Sequence, residues 1–384
     1  MTIKVIKNAN VVLEYGIVWD GVIIISDDRI INVGKARDVE IPSDAEIIDA
    51  GGAYVGPGFI DIHVHGGGGY HMAFNPKEAA EHFLRHGETS ILTTPSYSMS
   101  IEQLLDAISN TKEAMKTHKS IKGIYMEGPY TNPRYGANQH IISWRNGPIK
   151  AEDYERIVDS AGDLAKVWTI APEREGILPF VEYVRKVNPK AVFAVGHSEA
   201  TPAQIRALGK YRPKIETHST NATGQVQIYG GGIRNVGPDE YSFMEPELYT
   251  ELICDSKPIH VCPDMQRLII HNKGINRVIL ITDSTVYNNP TPAKFGDVDD
   301  INFDVTGGVA GSKLTLDKAC RNIMTHTNCG IAQAFIMASL TPARALGWDD
   351  DLGSIEVGKV ADLVFVDDKF NVQKVMLQGT ICEF

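Results

Sequence analysis

Three things are scarce in this sequence. Cysteine is the first: five residues in 384 (Cys254, Cys262, Cys320, Cys329, Cys382), odd in number, widely spread and never in a CxxC pair. That argues against a disulfide framework or a cysteine-based structural zinc site, and fits reduced thiols in the cytoplasm. Positive charge is the second. The 37 Lys and Arg stand against 48 Asp and Glu, a formal net charge of −11, with no dense basic run. A phosphate-backbone partner needs a cationic footprint, so no nucleic acid is expected. Long apolar runs are the third. Nothing approaches the ~18 residues of a membrane span. The opening "MTIKVIKNANVVLEYG" alternates like a strand and has no basic segment followed by an apolar block, so neither membrane nor leader peptide is expected. What is abundant is core material, with 43% hydrophobic residues.

The texture changes twice along the chain. Residues up to about Pro57 hold short β-like runs with turns, among them "GVIIISDDRIINVG" around Asp27-Asp28. From Phe59 on, apolar runs of strand length alternate with helical stretches. The runs are "FIDIHVHG", "TSILTTPS", "IKGIYMEGP", "AKVWTIAPE", "AVFAVGHSE", "KIETHST", "TELICDS" and "RVILITDS". Between them lie stretches such as "NPKEAAEHFLRHG", "SIEQLLDAISNTKEAMKTH" and "TPAQIRALGK", several opened by a Ser, Thr or Asn cap or an early Pro. Eight β-α repeats predict a closed parallel barrel with its chemistry at the strands' C-terminal ends. After two more helical segments the β texture returns in "LGSIEVGKVADLVFVDDKFNVQKVMLQGTICEF". The expected fold is α/β: a (β/α)8 TIM-like barrel over 57–352, flanked by a small β-sandwich formed by residues 1–56 and 353–384.

Polar residues accumulate where those strands finish: His63 and His65 on the first, Glu127 on the third, Glu173 on the fourth, His197 on the fifth, His218 on the sixth and Asp283 on the eighth. Residues two apart on a strand share a side, so His63 and His65 both face the barrel interior at its mouth. Imidazole with carboxylate suits a divalent transition metal better than magnesium or calcium. The glycines Gly66 to Gly69 then let the backbone turn sharply and leave room beside the ion. Each piece has a plainer alternative. The HxH pair alone fits hydrogen bonding to backbone, "MEGP" a turn with Glu127 solvated, His197 a packing or capping residue, and Asp283 an N-cap. Their joint order at successive strand ends is what favours a metal centre. Of the other histidines, only His140 and His260 fall in loops expected to overhang the mouth; His71, His82, His86, His118, His271 and His326 are expected to serve packing or surface.

These motifs, "GPGFIDIHVHG", "MEGPYTNP" with "GANQ", "TIAPE", "VGHSEAT", "ETHSTNAT", "ITDS" and the tail "SLTPARALGWDDDLGSIEVGKVADLVFVD", resemble the amidohydrolase superfamily over nearly the whole chain. Within it they resemble the branch that deacetylates N-acetylglucosamine-6-phosphate. The resemblance implies removal of acetate from an N-acetylated amino sugar phosphate. It makes Glu127, His197 and His218 ligands of a main metal, with His63 and His65 holding a second that Glu127 bridges. One or two divalent ions, zinc or iron, are thus implied. Asp283 becomes the acid/base, and a small-molecule amino sugar and a second copy of the chain become the partners.

Departures fall on the substrate side. The family's "HLYNAM" reads "HSTNAT" here, keeping Asn221 and Ala222. The usual Arg about eleven residues after the metal-binding His is Tyr229, with Arg234 the nearest substitute, and "DGxH" is lengthened to "DSKPIH", which moves His260. A further family His corresponds to Gln139 or its neighbours Asn138 and His140. The substrate-binding set is therefore Asn138, Gln139, Asn221, Ala222, Arg234 and His260. Two other readings are weighed. One is hydrolysis of a cyclic amide or N-acyl amino acid, where many superfamily members use a carboxylated lysine that the fourth strand does not supply. The other is a barrel kept only for binding.

Overall fold

A computed structural model of the chain describes residues 2–137, 144–226, 230, 232–233 and 235–384. Each of the eight apolar runs forms a strand: Phe59–Val64, Glu88–Thr93, Ile121–Met126, Ala165–Ile170, Val192–Val195, Ile215–Glu216, Tyr249–Ile253 and Val278–Ile281. They pair in parallel and in chain order. The ring closes just past the strand ends, where the Asp283 amide donates to the His63 carbonyl at 3.0 Å and the His65 and Gly66 amides donate to Ser284 O at 2.9 Å. Parallel strands covered on both faces must be apolar nearly throughout. All six residues of Phe59–Val64 are indeed buried.

One apolar cluster draws on every strand, with Ile60, Leu92, Tyr125, Val167, Ala194, Ile215, Ile253 and Ile279 among its members. Each fully buried Ile or Leu contributes roughly 1.5–3 kcal/mol of transfer free energy. Above it the Tyr125 hydroxyl and those of Thr169 and Thr217 join strands three, four and six through 3.0 Å hydrogen bonds. The interior is therefore packed, and the polar rim stands on a rigid base. Local signals place the crossover helices: Ser100 with Gln103 and Thr201 with Gln204 form capping boxes at the starts of Ile101–Ala114 and Pro202–Ala207.

Both ends of the chain meet in one eight-stranded sheet beside the barrel. Leu363–Val366 pairs antiparallel with Tyr54–Pro57, which runs straight into the first barrel strand. The long strand Ile3–Leu13 slips register after Ile6 and pairs with Glu46–Asp49 before the irregularity and with Tyr54–Pro57 after it. Its cluster takes Ile6, Val11, Ile23 and Val55 from one end and Leu363, Phe365 and Met376 from the other. Among the described residues no helix is long and apolar enough to cross a membrane.

Candidate metal centre

The strand ends hold their side chains inward by an unusual backbone route. Glu127 directly follows the third strand, whereas His197, His218 and Asp283 each lie two residues past theirs, at φ of +46°, +28° and +46°. A left-handed conformation costs an L-residue roughly 1–2 kcal/mol, and three such residues gathered at one rim mark a site where position outranks comfort. His63 and His65 stand differently. His63 lies within the first strand, where the register to the second slips between Asp61 and Val64, and His65 just beyond it.

The six side chains converge. Glu127 is the hub: its Oε1 lies 2.8 Å from His197 Nε2, 3.2 Å from His218 Nε2 and 3.5 Å from His63 Nε2, while Oε2 lies 3.3 Å from His65 Nε2. Asp283 Oδ1 is 3.3 Å from His65 Nε2 and 3.8 Å from His63 Nε2. Two groups have ligand spacing, His63 with His65 and Glu127, and Glu127 with His197 and His218.

All four imidazoles are oriented alike. Nδ1 of His65 faces Thr94 O at 3.0 Å, that of His197 faces Tyr135 O at 3.3 Å, that of His218 faces Asn221 O at 3.1 Å, and that of His63 faces Glu251 Oε2 at 3.0 Å. A neutral imidazole has one proton, and an acceptor fixes it at Nδ1. Each Nε2 then turns a bare lone pair to the centre. The Nε2 atoms of His197 and His218 stand 3.0 Å apart, and His63 Nε2, fully buried, has no hydrogen-bond partner among the described residues. Lone pairs and carboxylate oxygens this close repel unless a proton or a metal cation lies among them. The nitrogen and oxygen donors suit a divalent transition metal, so the residues fit one.

Charge within the cluster is strongly coupled. Burial lowers the His65 imidazole, but Asp283 and Glu127 outweigh it and hold it at about 9; Glu251 and Glu127 likewise raise His63. Burial raises Glu127, yet the imidazoles, His197 foremost, hold it well below the usual carboxylate range; Asp283 is lowered too, His65 outweighing its burial. Protons and a cation compete for the same nitrogens.

Glu173, at the end of the fourth strand, supports the centre from outside it. Oε1 accepts from the Glu199 amide at 2.8 Å and Asn132 Nδ2 at 2.9 Å, and Oε2 from Ser198 Oγ at 2.7 Å, while the Asn132 amide donates to His197 O. Those contacts clamp the turn that carries His197. Sequence reasoning missed Glu251. It also missed Asp255, whose Oδ2 accepts from both the backbone and Nδ1 of His260 at 2.9 and 3.0 Å and leaves His260 Nε2 buried without a partner among the described residues.

A pocket opens over the cluster. His260, Asn221 and Ala222 line it; Asn138, Gln139 and Arg234, like His140 and Tyr229, lie outside the described residues. His71, expected to serve packing, lines the pocket as well. Its Nδ1 accepts from the Ala73 amide at 3.1 Å, and burial pushes the ring down to about 4, leaving it neutral. The glycine run turns as expected, Gly68 and Gly69 at φ of +61° and +87°. The close approach it permits is to a helix: a Cβ on Gly67 would lie 2.5 Å from the Phe83 ring.

Fold and rim together define a β/α-barrel hydrolase with a ligand set fit for a divalent cation. The chain matches the amidohydrolase family over residues 54–382 and belongs to it. It is 30% identical to an N-acetylgalactosamine-6-phosphate deacetylase of Escherichia coli O157:H7 over 85% of this chain and 87% of that enzyme. It is 29% identical to an N-acetylglucosamine-6-phosphate deacetylase of Vibrio furnissii, over 94% and 90%. The crystal structure of the N-acetylglucosamine-6-phosphate deacetylase from Pasteurella multocida superposes with a TM-score of 0.86, at 25% identity and full coverage of both chains.

Proposed function

We propose that the protein is a metal-dependent deacetylase that hydrolyses the acetamide of an N-acetylated amino sugar, N-acetylglucosamine-6-phosphate or a related amino-sugar phosphate, to the amine and acetate. The observation that carries this reading is the convergence of four imidazole Nε2 atoms on Glu127 with Asp283 beside them, in a chain similar along most of its length to deacetylases.

Glu127, His197 and His218 would hold the main cation, and His63 and His65 a second, with Glu127 within reach of both groups. The donors favour zinc or iron. When bound, a divalent cation supplies Lewis acidity toward water and toward the amide carbonyl. The protein's own residues do the rest. Asp283, at the edge of the pocket, takes the proton of the attacking water and returns it to the amine nitrogen as the C–N bond breaks. No side-chain nucleophile is required. His260, held by Asp255, directs its free Nε2 to the sugar, and Asn221 and Ala222 shape the wall beside it. Asn138, Gln139 and Arg234 complete the substrate set in this reading. A homodimer in the cytoplasm accompanies it. Hydrolysis of cyclic amides draws less support: Lys166, the lysine of the fourth strand, donates to Asp163 O in an exposed position, away from the rim.

The test is Asp283→Asn, assayed by acetate release from N-acetylglucosamine-6-phosphate and N-acetylgalactosamine-6-phosphate. Metal content should match wild type while turnover falls at least about 10²–10⁴-fold, the usual worth of a general acid/base. Wild-type turnover in the variant removes Asp283 from the mechanism.

A further inference from the structure

Glu251 stands in the middle of the seventh strand with no exposed surface. A carboxylate is costly to bury without partners. Its Oε2 accepts twice, from His63 Nδ1 at 3.0 Å and from the backbone amide of His218 at 3.2 Å, while Oε1 accepts from none of the described residues. One oxygen atom therefore touches a residue from each half of the centre. His63 itself is fully buried, stacked on Tyr125 at 4.4 Å between ring centroids, and its Nε2 points at the cluster unpartnered. Of the four imidazoles it alone has an anion behind it, since backbone carbonyls serve the other three.

We propose that Glu251 is the positioning residue that makes the His63 and His65 half a working cation site and ties it to the His218 half. The inference rests on the two-cation reading above. An anionic acceptor at Nδ1 fixes the tautomer and raises the basicity of Nε2 as a ligand, and loss of such an outer partner typically costs about 10–100-fold in metal affinity. The same oxygen on the His218 amide pins the first residue of a left-handed turn, so binding at one half braces the other.

The experiment titrates zinc into the metal-stripped chain by calorimetry, for wild type, Glu251→Gln and Glu251→Ala, with thermal unfolding of each stripped protein recorded beside it. Wild type should take two cations. Glu251→Gln keeps the shape and loses the charge; it should hold the first as tightly as wild type and the second about 10–100-fold more weakly, with unfolding of the stripped chain little changed. Glu251→Ala should weaken the second site further. A wild-type chain that takes a single cation overturns the two-cation reading and this role together. A wild-type chain that takes two, matched by both variants, overturns the role of Glu251 alone. Should a variant fail to fold, ¹⁵N NMR of His63 in wild type decides. A protonated, strongly hydrogen-bonded Nδ1 before and after zinc addition supports the role, and an unprotonated Nδ1 in the loaded protein defeats it.

Discussion

The two halves of the centre are built from the same chemical groups by opposite means. On one side His63 and His65 come from a single strand, two residues apart, and need no unusual torsion. On the other, His197 and His218 come from separate strands, each just past the end of its own and each at positive φ. The first half is cheap in backbone and needs an anion behind His63; the second carries backbone strain and is braced by carbonyls of its own and neighbouring loops. Where torsion cannot aim a side chain, electrostatics must. Where torsion can, the loop around it has to be held.

Removing a ligand from each half should break this comparison most sharply. On the two-cation reading proposed above, His218→Ala takes a donor from the strained half, and the content of a zinc-loaded chain should fall by one ion with kcat down by more than about 100-fold, beyond what an outer partner costs. His63→Ala should also remove one zinc, while the Glu127, His197 and His218 group keeps its own. Metal analysis after dialysis, with acetate release on the same samples, reads both. If either variant loses both ions, the halves are one site and the contrast fails.

The halves also differ in how much of them the sequence reveals. "HVH" in an apolar run shows two imidazoles at strand spacing, so their common facing is foreseeable from period alone. The eight strands are legible for a similar reason: a strand covered on both faces is a short apolar block. Glu127, His197 and His218 become legible only together, because a single polar residue after a strand has many ordinary roles. Glu251 is not legible at all. In "TELICDS" it reads as one polar interruption, and its meaning lies in His63, 188 residues away. His71 was misread because a glycine turn folds it back over the mouth, which neither period nor spacing conveys.

Disturbing the brace without touching a ligand tests whether the strained half depends on its loops. Glu173→Ala leaves the Glu199 amide, Asn132 Nδ2 and Ser198 Oγ without their acceptor. Unsatisfied buried donors cost about 1–3 kcal/mol each, and the turn holding His197 loses its clamp. Stability to urea should fall by at least about 1 kcal/mol, and kcat by roughly 10–100-fold. Glu173→Gln, which keeps one acceptor oxygen, should recover part of both. Unchanged turnover in the alanine variant means His197 holds its aim unaided.

The mildest probe concerns space beside one ring. Gly136 sits at φ +96°, next to Tyr135, whose carbonyl receives the His197 Nδ1 proton. A Cβ added at Gly136 would lie 2.5 Å from Cε1 and Nδ1 of that ring and 2.9 Å from the Tyr97 hydroxyl. The ring cannot retreat freely, because Nε2 faces Glu127 at 2.8 Å, so either the loop or the imidazole shifts by a fraction of an ångström. A full 1 Å misplacement costs about 10²-fold in rate, so Gly136→Ala should lose about tenfold in kcat. Zinc at the His63 and His65 half should keep its affinity, since the three atoms nearest the added methyl group belong to His197 and Tyr97. Equal weakening of both zinc sites would show that the loop braces the whole rim, and the division drawn between the halves would then rest on backbone torsion alone.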